Sequence, residues 1–193
     1  MILIDTALQI LKREDPDAMT VEAVAEAADV SPRTVARYFP SKDMLLLALL
    51  DLISDAVNAE LALVPAAVPP LEAMLAANLA MLDRASAGTG PLTSHRFVIL
   101  HTTMNIVPRL VTQAAGIRAA ATCDALAQRM NLHPEDPAVQ LTGSLWGAII
   151  VTAWGRLGSD SDDPGEQRTD VMRRSLTATF AEFCALTSAT ATL

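Results

Sequence analysis

The chain has 193 residues, 51% of them apolar and only 4% aromatic, and its 22 acidic and 14 basic side chains leave a net charge of −8. That length is enough to bury a core in one domain or two, and a composition rich in Ala and Leu favours helix packed on helix over a β-sandwich. A net-acidic surface repels polyanions, which excludes a generic nucleic-acid binder unless the basic groups are locally segregated. Two cysteines, Cys123 and Cys184, are too few for a disulfide framework. The start, Met1-Ile2-Leu3-Ile4-Asp5, lacks the basic region, apolar stretch and small-residue cleavage site of an export signal. A reduced, cytoplasmic chain is expected.

Helix signals run from end to end, and no Asn-Gly or Asp-Gly hairpin turn separates alternating runs. The first helix spans Ile2 to Arg13 and is broken by Glu14-Asp15-Pro16-Asp17. Thr20 caps a short second helix with Val21, Val24, Ala25 and Ala28 on one side, which Asp29 interrupts. Ser31-Pro32 pairs a capping hydroxyl with Pro at the first helical position, and Pro40 limits that third helix to about Phe39. Ser41 caps a long helix reaching Leu63. Pro69-Pro70 opens a helix to about Ser86, Gly88-Thr89-Gly90-Pro91 is a loop, and helices follow over 92–105, 108–130 with a bend near Gly116, 138–157 and 166–187. The separators are His133-Pro134-Glu135-Asp136-Pro137 and the stretch from Gly158 to Gly165.

Helix 138–157 has no charged residue before Arg156, and about 18 residues at ~1.5 Å each would nearly cross a bilayer. Gln140, Thr142, Gly143, Ser144, Gly147, Thr152 and Gly155 make it too polar and small-rich for insertion. The expectation is a helix covered by protein on most sides, not a membrane-associated one.

Charge is not spread evenly. Residues 1–50 hold five bases and eight acids, and residues 51–193 hold nine and fourteen, so neither part is basic. Yet from Val30 to Lys42 there are three bases and no acid. Arg33 and Arg37 are four apart and project from one face of the third helix beside Thr34 and Tyr38, while Val30, Val35 and Phe39 lie elsewhere on the wheel and anchor it. A capped helix, a tight turn and a second short helix with an exposed Arg/Thr face is the helix-turn-helix plan, whose second helix enters a major groove. On that plan the amide groups at Ser31 meet phosphate, Arg33 and Arg37 reach guanine edges or phosphates, and Tyr38 and Lys42 hold the flanking backbone.

The run from Thr20 to Asp43, TVEAVAEAADVSPRTVARYFPSKD, resembles the N-terminal DNA-binding domain of the tetracycline-repressor (TetR) family, over about a quarter of the chain. The resemblance implies an all-α homodimer with two parts: a three-helix helix-turn-helix domain over 1–50, and a larger helical ligand-binding and dimerisation domain over 51–193. It implies a repressor that sets its recognition helices into successive major grooves of a palindromic operator and is released by a small molecule. The family's usual DNA contacts fall on Thr20, Ser31, Pro32, Arg33, Thr34, Arg37, Tyr38 and Lys42. The C-terminal part resembles the actinobacterial subgroup with an acyl-CoA-like ligand domain. Two positions depart from the usual pattern: Asp29 stands where Gly is common, and Ala36 where an aromatic is common. The chain also begins almost inside its first helix, without the basic arm many relatives carry.

In the second part, Phe97, Leu100, His101 and Met104 follow the spacing of one helix face, as Met74, Asn78, Met81 and Leu82 nearly do. Most such stripes are core. Met adapts to variable apolar ligands, and Asn78, His101 and Asn105 can orient one. The expected pocket is Met74, Asn78, Met81, Phe97, His101, Met104, Asn105 and Trp146, taking a mainly apolar effector of unknown identity. Helices near 138–157 and 166–187, from two subunits, would meet as a four-helix bundle.

A small helical enzyme is the rival class, and little supports it. His95, His101 and His133 have no metal spacing, and neither Cys lies beside a His. Gly88-Thr89-Gly90 lacks the Gly-Lys of a phosphate cradle, and Asp160-Ser161-Asp162-Asp163 runs into Pro164 without the closing Glu of a calcium loop. No catalytic residue, metal or cofactor is expected.

Overall fold

A computed structural model describes residues 2–13, 20–90, 92–94, 121–155 and 168–190. Every regular element among them is helical: α1 (Ile2–Arg13), α2 (Val21–Ala27), α3 (Pro32–Tyr38), α4 (Lys42–Leu61), α5 (Pro70–Ala87), α6 (121–130), α7 (Pro137–Gly155) and α8 (Arg168–Thr190). The helix expected over 92–105 and the first part of that over 108–130 fall largely outside the described residues. The chain divides into two compact units, and along the N-terminal half the boundary falls between Ile53 and Ser54.

Local chemistry sets the ends in the first unit. The Thr20 hydroxyl accepts from the Ala23 amide (3.0 Å), the Ser31 hydroxyl from the Thr34 amide (3.1 Å), and the Ser41 hydroxyl from the Met44 amide (3.2 Å). Each satisfies one of the amides a helix leaves without a partner in its first turn. At the end of α2 the Val30 amide donates to the Ala25 carbonyl (2.9 Å) and the Asp29 amide to the Glu26 carbonyl (3.1 Å). This reverse closure requires a left-handed residue, and Asp29 supplies it with φ 53°. A short polar side chain tolerates that conformation, so Asp does here what Gly would do without strain.

Ala7, Val24, Ala25, Val35 and Leu45 form the buried core of this unit, with α1 packed on α2 and α2 on α3. Val35 anchors α3 as the sequence suggests and Phe39 is half-buried. Val30 differs: it is 36% exposed. The turn that closes α2 spends the Val30 backbone on a hydrogen bond and leaves its side chain at the rim.

In the second unit, α7 packs on α8 and α5 packs on both. Met74, Leu82, Leu126, Val139, Trp146, Ile149, Met172 and Leu176 are buried in its core. Pro70 begins α5 and Gly88, at φ 66°, ends it. The Asp83–Arg173 ion pair (3.5 Å) ties α5 to α8, and the Ser175 hydroxyl donates to the Ala153 carbonyl (2.6 Å), tying α8 to α7. Among the described residues α7 is the one helix long and apolar enough to cross a membrane, by length and composition only. Cover on most sides is not met among the described residues: a third of its apolar window is buried, and Leu141 and Val151 stand 62% and 64% exposed. Its Val139, Trp146, Ile149, Ile150 and Ala153 stripe is buried, and nothing among the described residues covers the opposite face.

Candidate nucleic-acid interface

The face of α3 is built by its own capping. Ser31 bonds the Thr34 amide and its hydroxyl also meets the Thr34 hydroxyl at 2.8 Å, so Ser31 and Thr34 are tied together at the entrance of the helix. Val35, fully buried, holds the opposite side against α2. With that side pinned, Ser31, Pro32, Arg33, Arg37 and Tyr38 are all exposed and Thr34 is half-buried. Thr20 is exposed at the start of α2. Seven of the eight expected contact residues are therefore solvent-facing or partly so, and the Lys42 side chain lies outside the described residues.

Two cations share this face. The Arg37 guanidinium donates from Nη2 to the Tyr38 hydroxyl (2.9 Å) and its Cζ stands 4.8 Å from the Tyr38 ring centroid. Tyr38 is itself 58% exposed. No carboxylate pairs with Arg33 or Arg37 among the described residues, consistent with the acid-free run from Val30 to Lys42. The arrangement presents positive charge on one short helix of an otherwise acidic chain.

Residues 3–49 match the family described as bacterial regulatory proteins, tetR family. That match covers the helix-turn-helix segment, about a quarter of the chain. It is 40% identical over 86 residues to the HTH-type transcriptional regulator TcmR of Streptomyces glaucescens, a match covering 45% of this chain and 38% of that protein. A TetR transcriptional regulator from Rhodococcus sp. RHA1 shares the fold at 18% identity and TM-score 0.52, covering 93% of each chain. The fatty acid degradation regulator FadR from Bacillus halodurans does so at 16% identity and TM-score 0.51, covering 92% of each. The chain is thus similar in sequence to a regulator over 86 residues and similar in fold to solved structures along most of its length.

Of the expected pocket residues, Met74, Asn78, Met81 and Trp146 are buried in the second unit. Asn78 donates from Nδ2 to the Met74 carbonyl one turn earlier (2.8 Å). Phe97, His101, Met104 and Asn105 lie outside the described residues.

A cleft lies at another place in this unit. It is an open space of about 530 Å³ between the end of α4 and α6, lined by residues that include Asn58, Leu61, Asp124, Gln128 and Arg129. Arg129 reaches across it to donate to the carbonyls of Val64 (3.1 Å), Pro65 and Val68 (2.8 Å). This cation closes the exit of α4 from more than sixty residues away, and its buried Nε has no partner among the described residues. No local pattern marks Arg129 for the role, since a lone Arg on an Ala-rich helix reads as a solvated charge. On the same helix, burial and the neighbouring Asp124 carboxylate push the Cys123 thiol above its ordinary value. Among the described residues no cluster of His, Cys, Asp and Glu has the makings of a metal site.

Proposed function

We propose that the protein is a ligand-responsive transcriptional regulator, a repressor that binds a palindromic operator as a homodimer and is released by a mainly apolar small molecule. The exposed, acid-free face of α3 with Arg33, Arg37 and Tyr38 carries the reading. Residues 1–50 form the DNA-binding domain, with Thr20, Ser31, Pro32, Arg33, Thr34, Arg37, Tyr38 and Lys42 meeting the duplex. Residues 51–193 bind the effector and dimerise. The uncovered faces of α7 and α8, with Leu141, Val151 and the 71% exposed Leu186, supply apolar surface for a second copy. Buried Met74, Met81 and Trp146 around Asn78 suit an apolar effector with one polar group. Effector binding favours a dimer whose two recognition helices no longer match grooves about 34 Å apart. On this reading the protein works in the cytoplasm and is neither an enzyme nor a membrane protein.

Selection of duplexes from a random pool tests the proposal. The expected product is a palindrome with half-sites about one helical turn apart, bound by a species of twice the 20.5 kDa chain mass. A pool that enriches no sequence, or a protein that sediments as a monomer at micromolar concentration, refutes it.

A further inference from the structure

Arg33 and Arg37 lie one turn apart on the same face of α3, and the structure holds them differently. Among the described residues no hydrogen bond or ion pair ties down Arg33. The Arg37 guanidinium, by contrast, is bonded through Nη2 to the Tyr38 hydroxyl and lies against its ring. We propose that Arg37 and Tyr38 act as one unit, a phosphate clamp formed before DNA arrives, in which Tyr38 positions Arg37 while Arg33 is left to read base edges. The proposal rests on the DNA-binding reading above.

Donor geometry separates the two roles. Reading a guanine edge needs two parallel N–H groups presented in the plane of the base, a fork that Arg33 can still offer at either side of its guanidinium. Arg37 has given Nη2 to tyrosine, so one side of its fork is compromised. A phosphate oxygen accepts N–H groups from many directions and tolerates that loss. The Tyr38 hydroxyl, accepting from a cation, keeps its own proton to donate, and the polarisation strengthens it as a donor. Guanidinium and hydroxyl thus converge as two donors for one phosphate. Ala36, the preceding residue, has only a methyl group and contributes no donor. The tether also restricts a long, rotamer-rich side chain in the free protein, so less freedom is lost on contact.

The test uses the full chain with the selected duplex and an unrelated duplex of equal length, titrated by fluorescence anisotropy at several salt concentrations. Variants are R37A, Y38F, the double variant and R33A, each checked for an unchanged melting curve. R37A is expected to weaken both duplexes by a similar factor, on the order of 10-fold, and to lower the salt slope by about one. Y38F keeps the ring and loses the hydroxyl. It should weaken binding roughly 3- to 5-fold in the wild-type background and clearly less when added to R37A, where only the hydroxyl's own donation to phosphate remains to be lost. R33A should relax selection at one base position and discriminate the two duplexes less. The proposal is overturned if Y38F has no effect in the wild type, if it costs as much in the R37A background as in the wild type, or if R37A alters base preference rather than slope. A wild-type chain that binds neither duplex overturns the DNA-binding reading itself and the clamp with it, and one that binds both equally overturns the base-reading role of Arg33.

Discussion

Gly143→Ala measures how tightly α6 and α7 approach. A β-carbon at Gly143 would stand 2.8 Å from the Cys123 Sγ, about 1 Å inside the ~3.5–4.0 Å optimum for non-bonded atoms. Cys123 is only 6% exposed, so its sulfur has little room to retreat. Overpacking of this size costs about 1–3 kcal/mol, while replacing Gly by Ala within a helix returns roughly 0.8–1 kcal/mol of propensity. The net loss should be about 1 kcal/mol, or a fall in Tm of ~2–4 °C for a chain of this size. Cys123→Ala alone leaves a small void and is also destabilising. Combined, the new methyl at 143 occupies space the sulfur vacated, so the double variant should be more stable than the two losses predict by roughly 1–3 kcal/mol. Urea melts of the four proteins give the coupling directly. A G143A protein at or above wild-type stability, with no coupling to C123A, would refute the contact.

Three other perturbations probe the rest of the molecule. Arg129→Met keeps the apolar stem but removes the donors that reach Val64, Pro65 and Val68, so unfolding free energy should fall by about 2–4 kcal/mol. Arg129→Lys, unable to fork, should recover only part of it. Asp29→Asn keeps a residue that tolerates φ 53° and removes an acid beside α3. DNA affinity at low salt should rise roughly 2- to 5-fold, with the gain vanishing as salt rises, and stability should stay within about 0.5 kcal/mol. The Cys123 thiol, raised by burial and by Asp124 from an ordinary value of 9.0, makes stability depend on pH. Below that value both states hold the proton and the contribution is complete. Above it the unfolded chain ionises first, so stability should decline as pH rises beyond about 9, and C123A should remove that part of the decline.

Much of the local plan was legible. Thr20, Ser31 and Ser41 cap the helices their hydroxyls announce, Pro70 and Gly88 bound α5, and Asp29 takes the left-handed turn. These signals are readable because donor, acceptor and backbone lie within a few residues. The last helix runs to Thr190, beyond the expected 187, because no Gly or Pro stops it; Ser188 instead bonds the Cys184 carbonyl (2.9 Å) and stays in register.

What the sequence determined by itself, then, is the helices, the caps and the acid-free run from Val30 to Lys42 within the stretch that resembles the tetR family. Tertiary structure alone decided that Arg129 closes the exit of α4, that Gly143 admits the sulfur of Cys123, and that a cleft opens between the end of α4 and α6. The pairing of Arg37 with Tyr38 was hidden for a different reason. Adjacent residues on a helix point apart, and the two meet only because Tyr38 is the last residue of α3 and a long side chain folds back over its ring. Periodicity reports which side of a helix is apolar, but the partner of a side chain is fixed by distances that only packing sets.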